Sequence, residues 1–127
     1  MPEPPEPTDL YTIEIEPEVR AWLETLPLTD HRAVERFADR LATDGHALPF
    51  PIASHLGEGL RELRIGSFRV TYWLAPGRRA VLLTVFRKSR MREVDEVSRA
   101  QRAKKLCEAE HPPAGEHDVY SRGEEAR

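Results

Sequence analysis

The stretch Leu60 to Leu74, LRELRIGSFRVTYWL, constrains the fold more than any other part of the chain. Apolar residues alternate on both sides of Gly66-Ser67, and a two-residue loop with glycine first suits a type II′ hairpin turn. Pairing about that turn sets Ile65 against Phe68, Arg64 against Arg69, Leu63 against Val70, Glu62 against Thr71 and Arg61 against Tyr72. Cross-strand partners share a face. One face is therefore Leu63, Ile65, Phe68, Val70, Tyr72 and Leu74, with Arg61 at its rim, and is suited to a core. The other carries Glu62, Arg64, Arg69, Thr71 and Trp73. Like charges directly opposite one another are unfavourable, unless Glu62 neutralises one or an anion lies across both. Two forked guanidiniums match a phosphate well.

Around this hairpin the chain divides simply. Residues 1–9 alternate proline with acid and are expected to be disordered. YTIEI alternates Tyr11, Ile13 and Ile15 with polar residues and reads as a half-buried strand. Pro17 opens a helix with Val19, Trp22, Leu23 and Leu26 on one face, ended by Pro27. A second helix, capped by Thr29 or Asp30, carries Val34, Phe37, Ala38 and Leu41 and stops at Gly45. HALPFPIASHLGEG, with two prolines and two glycines, reads as a loop. After the hairpin strands, Ala80–Phe86 is an apolar run suited to a strand buried on both faces. Met91 to about His111 is helical, with Val94 and Val97 as its anchors. Residues 112–127 are polar and expected to be disordered. The expectation is one α+β domain over residues 10–111, β-α-α-β-β-β-α, its mostly antiparallel sheet packed on a helical hairpin.

Charge is unevenly placed. Between Leu60 and Arg92 lie nine of the nineteen basic residues and one of the twenty-two acidic ones, Glu62. That polarity points to a polyanionic partner. The single cysteine, Cys107, excludes an internal disulfide and a cysteine-based zinc site. It fits a reducing cytoplasm. No apolar run reaches the length of a membrane span, and MPEPPEPTD lacks the features of a signal peptide.

The stretch GLRELRIGSFRVTYWLAPGRRAVLLTVFRK resembles the RelE/HigB-type toxins of bacterial type II toxin–antitoxin systems, especially phage-derived HigB-like members. The resemblance rests on Gly59, Leu60, Glu62, Leu63 and Arg64, then Arg69, Val70 and Tyr72, then Val81 to Lys88, and extends over about Tyr11 to Leu106. It implies the RelE-like (microbial RNase-like) fold and a ribosome-dependent mRNA endoribonuclease that needs no metal or other cofactor. The RNA 2′-OH would attack the adjacent phosphorus while cations stabilise the crowded phosphate. Expected partners are the ribosome, its mRNA and a cognate antitoxin, commonly a helix-turn-helix protein encoded nearby. ParE-like relatives with the same fold inhibit DNA gyrase, and a relative that binds RNA without cutting it is a further alternative.

Arginine is a poor base and a good charge stabiliser. Arg69 and Arg64 are thus the phosphate-stabilising candidates, with Lys88 beside them. The tyrosine and lysines used by some relatives are replaced here by Asp95, Leu60 and Glu62. The proton acceptor is left between His55, whose intrinsic pKa lies near 6.5, and Glu62. Arg61, Arg87, Arg90 and Arg92 are candidate RNA-backbone contacts. Trp73 and Phe86 are candidates for stacking on bases, or equally for packing. His31 and His46 read as structural or exposed, and His111 and His117 as tail residues.

Overall fold

The structure, a computed structural model, describes residues 10–89, 93–110 and 118–120. The elements are β1 (Thr12–Ile15), α1 (Pro17–Glu24), α2 (Leu28–Asp44), a 3₁₀ turn (Gly45–Ala47), β2 (Ala53–Gly57), β3 (Leu60–Ile65), β4 (Phe68–Ala75), β5 (Arg79–Arg87), α3 (Glu93–Glu110) and β6 (Asp118–Val119). They form one sheet in the order β2-β3-β4-β5-β1-β6. β1 runs parallel to β5, and every other neighbour is antiparallel. This is the α+β architecture expected, with a strand added at each edge.

Both added strands fall where a loop or a tail was expected. β2 lies inside HALPFPIASHLGEG. It pairs Ala53 with Leu63, Ser54 with Glu62 and His55 with Arg61, and then slips before Gly57. Its alternation is too short and too interrupted to be read from sequence. β6 sets Val119 against Glu14 and residue 118 against Ile15, while the Tyr120 N–H donates to the Ile13 carbonyl at 2.7 Å. The expectation of a structureless tail from residue 112 thus fails at 118–120, where a two-residue strand carries no periodicity. The rest of that tail, and residues 1–9, lie outside the described residues.

The helical hairpin forms as its apolar spacing predicts, with one change at its start. α2 begins at Leu28, and the Pro27 carbonyl accepts the N–H groups of Asp30 and His31, both at 3.0 Å, in place of a Thr29 or Asp30 cap. Gly45 ends α2 at φ +53°, and a Cβ there would stand 2.1 Å from the Tyr11 ring, so no side chain fits.

The sheet buries both faces. On one, Ile13, Ile15, Leu63, Ile65, Val70, Tyr72 and Leu82 pack with Val19, Leu23, Val34 and Leu41 of the helical hairpin. On the other, Leu60, Ala75, Val81 and Leu83 pack with Ala100 and Cys107 of α3, flanked by Trp73, Val97 and Ala103. α3 docks through small residues. Val94, expected as an anchor, is 80% exposed.

Two polar devices complete the sheet. At a bulge the register passes from Thr71↔Thr84 to Tyr72↔Leu82, leaving Leu83 unmatched. The Thr71 hydroxyl accepts the Thr84 N–H at 3.1 Å and lies 2.6 Å from the Thr84 hydroxyl, which satisfies groups with no access to water. Beyond the end of β1, the Val85 N–H donates to the Glu18 carboxylate at 3.0 Å. Arg99 of α3 grips the same carboxylate through both terminal nitrogens and also pairs with Glu96. One carboxylate thereby ties α1, β5 and α3 together.

Candidate functional site

The hairpin has the register expected from Gly66-Ser67, with Arg64 directly opposite Arg69. Gly66 sits at φ +59°, as the first position of a type II′ turn requires. Glu62, Arg64 and Arg69 share the face that α3 partly covers, whereas the opposite face meets the helical hairpin.

The two arginines are held differently. Arg64 is half-buried, its guanidinium 5.1 Å from the centre of the Phe50 ring. Arg69 is only 4% exposed. Its Nη1 donates to the carbonyls of Gly66 and Phe68, both at 2.9 Å, so one arm of its fork braces the turn.

Glu62 is 5% exposed and accepts a hydrogen bond from the Ser54 hydroxyl at 3.0 Å. Among the described residues it joins no ion pair, so of the two alternatives for the arginine pair, neutralisation by Glu62 is not the one seen. It forms one wall of a groove of about 330 Å³, shared with Leu56 and with Glu93, Val94, Val97 and Ser98 of α3. Ser54 was not a sequence candidate, because its position opposite Glu62 becomes visible only once β2 is in register.

The remaining candidates scatter. His55 is exposed on edge strand β2, opposite Arg61, and both point to the face away from Arg64 and Arg69. The sheet therefore separates His55 from the arginine pair it was expected to serve. Arg61 donates to the His46 carbonyl at 3.0 Å. Arg87 stacks 4.6 Å over Phe68 and bonds the Ser67 hydroxyl. Lys88 is exposed beside the turn, its N–H donating to the Ser67 carbonyl at 2.7 Å. Trp73 packs under α3 with the Lys104 ammonium 5.0 Å over its ring, and Phe86 is buried across from Arg69, so neither presents an open ring. Arg90 and Arg92 lie outside the described residues. Arg78 stacks on Tyr11, and Arg79 is buried in an ion pair with Glu14. Among the described residues, the cationic stretch of sequence therefore does not fold into one basic surface. Among the described residues no cluster of His, Cys, Asp and Glu could hold a metal, and no helix is long and apolar enough to cross a membrane.

Burial pushes the Cys107 thiol up. Burial also raises the Tyr72 phenol, and the Arg61 charge beside it offsets part of that rise. The Tyr72 hydroxyl is fully enclosed, with the Arg61 guanidinium beside it but no well-formed hydrogen bond. The folded chain holds this proton to higher pH than the unfolded one. Its contribution to stability is thus complete below the ordinary tyrosine pKa near 10 and is lost as pH climbs beyond it. Tyr72→Phe removes an unsatisfied polar group and should leave the chain as stable or about 1 kcal/mol more stable near neutral pH. The variant should also lose stability less steeply above about pH 10. Urea midpoints at the two pH values check both effects.

A family model described as phage-derived protein Gp49-like matches residues 21–106. The comparison with curated proteins returned no match. Among solved structures, the chain is similar to one in the RelBE2 toxin–antitoxin complex from Mycobacterium tuberculosis. That match has 25% identity and a TM-score of 0.50, and covers 62% of this chain and 99% of that one. It is also similar to one in the archaeal RelE–RelB complex from Pyrococcus horikoshii, at 23% identity and a TM-score of 0.52, covering 64% of this chain and 98% of that one. The family match spans more than half of the chain, so the chain belongs to the phage-derived Gp49-like family, a RelE/HigB-type toxin family of the RelE superfamily.

Proposed function

We propose that this chain is the toxin of a toxin–antitoxin pair and cuts messenger RNA on the ribosome without a metal. The observation that supports this most is the cross-strand pair Arg64 and Arg69, placed on one sheet face with the carboxylate of Glu62 beside it. In the reaction the 2′-oxygen bonds to the adjacent phosphorus and the bond to the 5′-oxygen breaks. The products are a 2′,3′-cyclic phosphate and a 5′-hydroxyl, the leaving 5′-oxygen taking its proton from solvent water. Arg64, with Arg69 behind it and Lys88 at the strand end, stabilises the charge that develops on the phosphate. Glu62 takes the 2′-OH proton. It stands on the same face as the arginines and is steadied by Ser54, whereas His55 lies across the sheet. The structural similarity to toxin–antitoxin complexes supports a protein antitoxin as the natural partner.

A second reading, a ParE-like toxin that binds gyrase without cutting RNA, is favoured by one feature: Arg69 is buried and half committed to its own turn. Expression of the chain alone separates the two. Growth arrest with codon-phased cuts in messenger RNA is expected, and coexpression of the antitoxin should relieve it. Trapped gyrase with intact messages would favour the second reading, and normal growth would contradict both.

A further inference from the structure

The groove between β3 and the first turns of α3 borders the core of that face, which Leu56 and Val97 flank, and it carries polar groups as well. Its walls are Leu56, Val94 and Val97, and its polar groups are Glu62, Glu93 and Ser98. Val94 stands 80% exposed at its rim. Glu62 is 5% exposed and opens onto this space, with one of its two oxygens bonded by Ser54. Arg64 is two residues along the same strand and the same face. A phosphate on Arg64 and a ribose hydroxyl at Glu62 would bring the attached base to the groove that Glu62 lines.

We infer that this groove seats the nucleobase of the nucleotide whose 2′-OH attacks, and that it prefers guanine. The inference rests on the nuclease reading above and adds a specificity to it. Aliphatic walls suit the flat face of a base. Carboxylates accept hydrogen bonds and repel acceptors, so they favour an edge made of donors. Guanine alone presents two adjacent N–H donors on its pairing edge, matching the two oxygens of Glu93, and its O6 can accept from the Ser98 hydroxyl. Adenine, cytosine and uracil each place an acceptor beside their donor. Glu93 is exposed, so discrimination belongs at the low end of the range for a bidentate contact, about tenfold.

The test is methyl NMR of the purified chain titrated with guanosine 3′-monophosphate and with uridine 3′-monophosphate. Guanosine 3′-monophosphate should shift the methyls of Leu56, Val94 and Val97 and bind about tenfold tighter than the uridine nucleotide. Glu93→Gln should bring the two affinities within about twofold of each other while leaving the melting temperature unchanged, and Val97→Phe should abolish the shifts. Shifts confined to other methyls, or equal affinities in the unmodified chain, would overturn the inference. Shifts at the groove in a chain that cuts no messenger RNA would overturn the nuclease reading and leave the guanine seat standing.

Discussion

Glu14→Ala is expected to destabilise the fold by about 3–5 kcal/mol, the usual cost of stranding one member of a buried ion pair. Arg79 is 8% exposed and Glu14 7%. Two hydrogen bonds join them, Nε to Oε2 at 2.7 Å and Nη2 to Oε1 at 3.1 Å, and this partner raises the Arg79 pKa against the effect of burial. Without Glu14 the guanidinium would remain under α3 with its charge uncompensated. A domain of this size is stable by about 5–15 kcal/mol, so the loss should lower the melting temperature by roughly 10–20 °C. The double variant Glu14→Leu/Arg79→Met should recover most of it, because the burial cost of both charges disappears together. Thermal unfolding of the two variants beside the unmodified chain checks this. Equal losses in the single and double variants would mean that packing, not charge, is what the pair supplies.

The second large effect concerns activity. Arg64→Ala should slow messenger RNA cutting by about 10²–10³-fold, the scale on which a single stabiliser of developing charge acts. The fold should survive, since Arg64 is half-buried and its side chain meets the Phe50 ring, not a buried partner. Arg64→Lys keeps the charge but loses the fork, and should fall between the two. Arg69→Ala is a poorer probe. It removes the bonds to the Gly66 and Phe68 carbonyls, so activity and turn geometry would change together. Cutting rates of Arg64→Ala and Arg64→Lys on programmed ribosomes, alongside their melting temperatures, separate the two contributions.

Much of this fold was legible because its central hairpin is unusually explicit. Gly66-Ser67 permits one tight turn, and alternation from that turn specifies every partner through Arg61↔Tyr72. The twofold burial of β5 was equally readable, since Ala80 and Leu82 face one core while Val81 and Leu83 face the other. What could not be read was cover. α3 docks by Ala100, Ala103 and Cys107, which give no amphipathic signal, so the arginine face looked open from sequence although α3 shields part of it. The placement of His55 failed for a related reason. Its strand carries too little alternation to be recognised, and without the His55↔Arg61 pairing its face cannot be assigned. The same missing strand hid Ser54. The charge run misled in another way, because proximity in sequence says nothing of face. Arg61 and Arg87 turn from Arg64 and Arg69, and Arg79 is consumed by Glu14.

The central claim is that the RNA supplies its own nucleophile while the arginine face stabilises the phosphate. The most direct test uses ribosomes programmed with a message that this chain cuts at a defined bond, and the same message with a single 2′-deoxynucleotide on the 5′ side of that bond. The mechanism predicts a 2′,3′-cyclic phosphate and a 5′-hydroxyl from the first message and no cut at that bond in the second. Cleavage of the deoxy-substituted message at the same bond, or products ending in a 5′-phosphate, would contradict it.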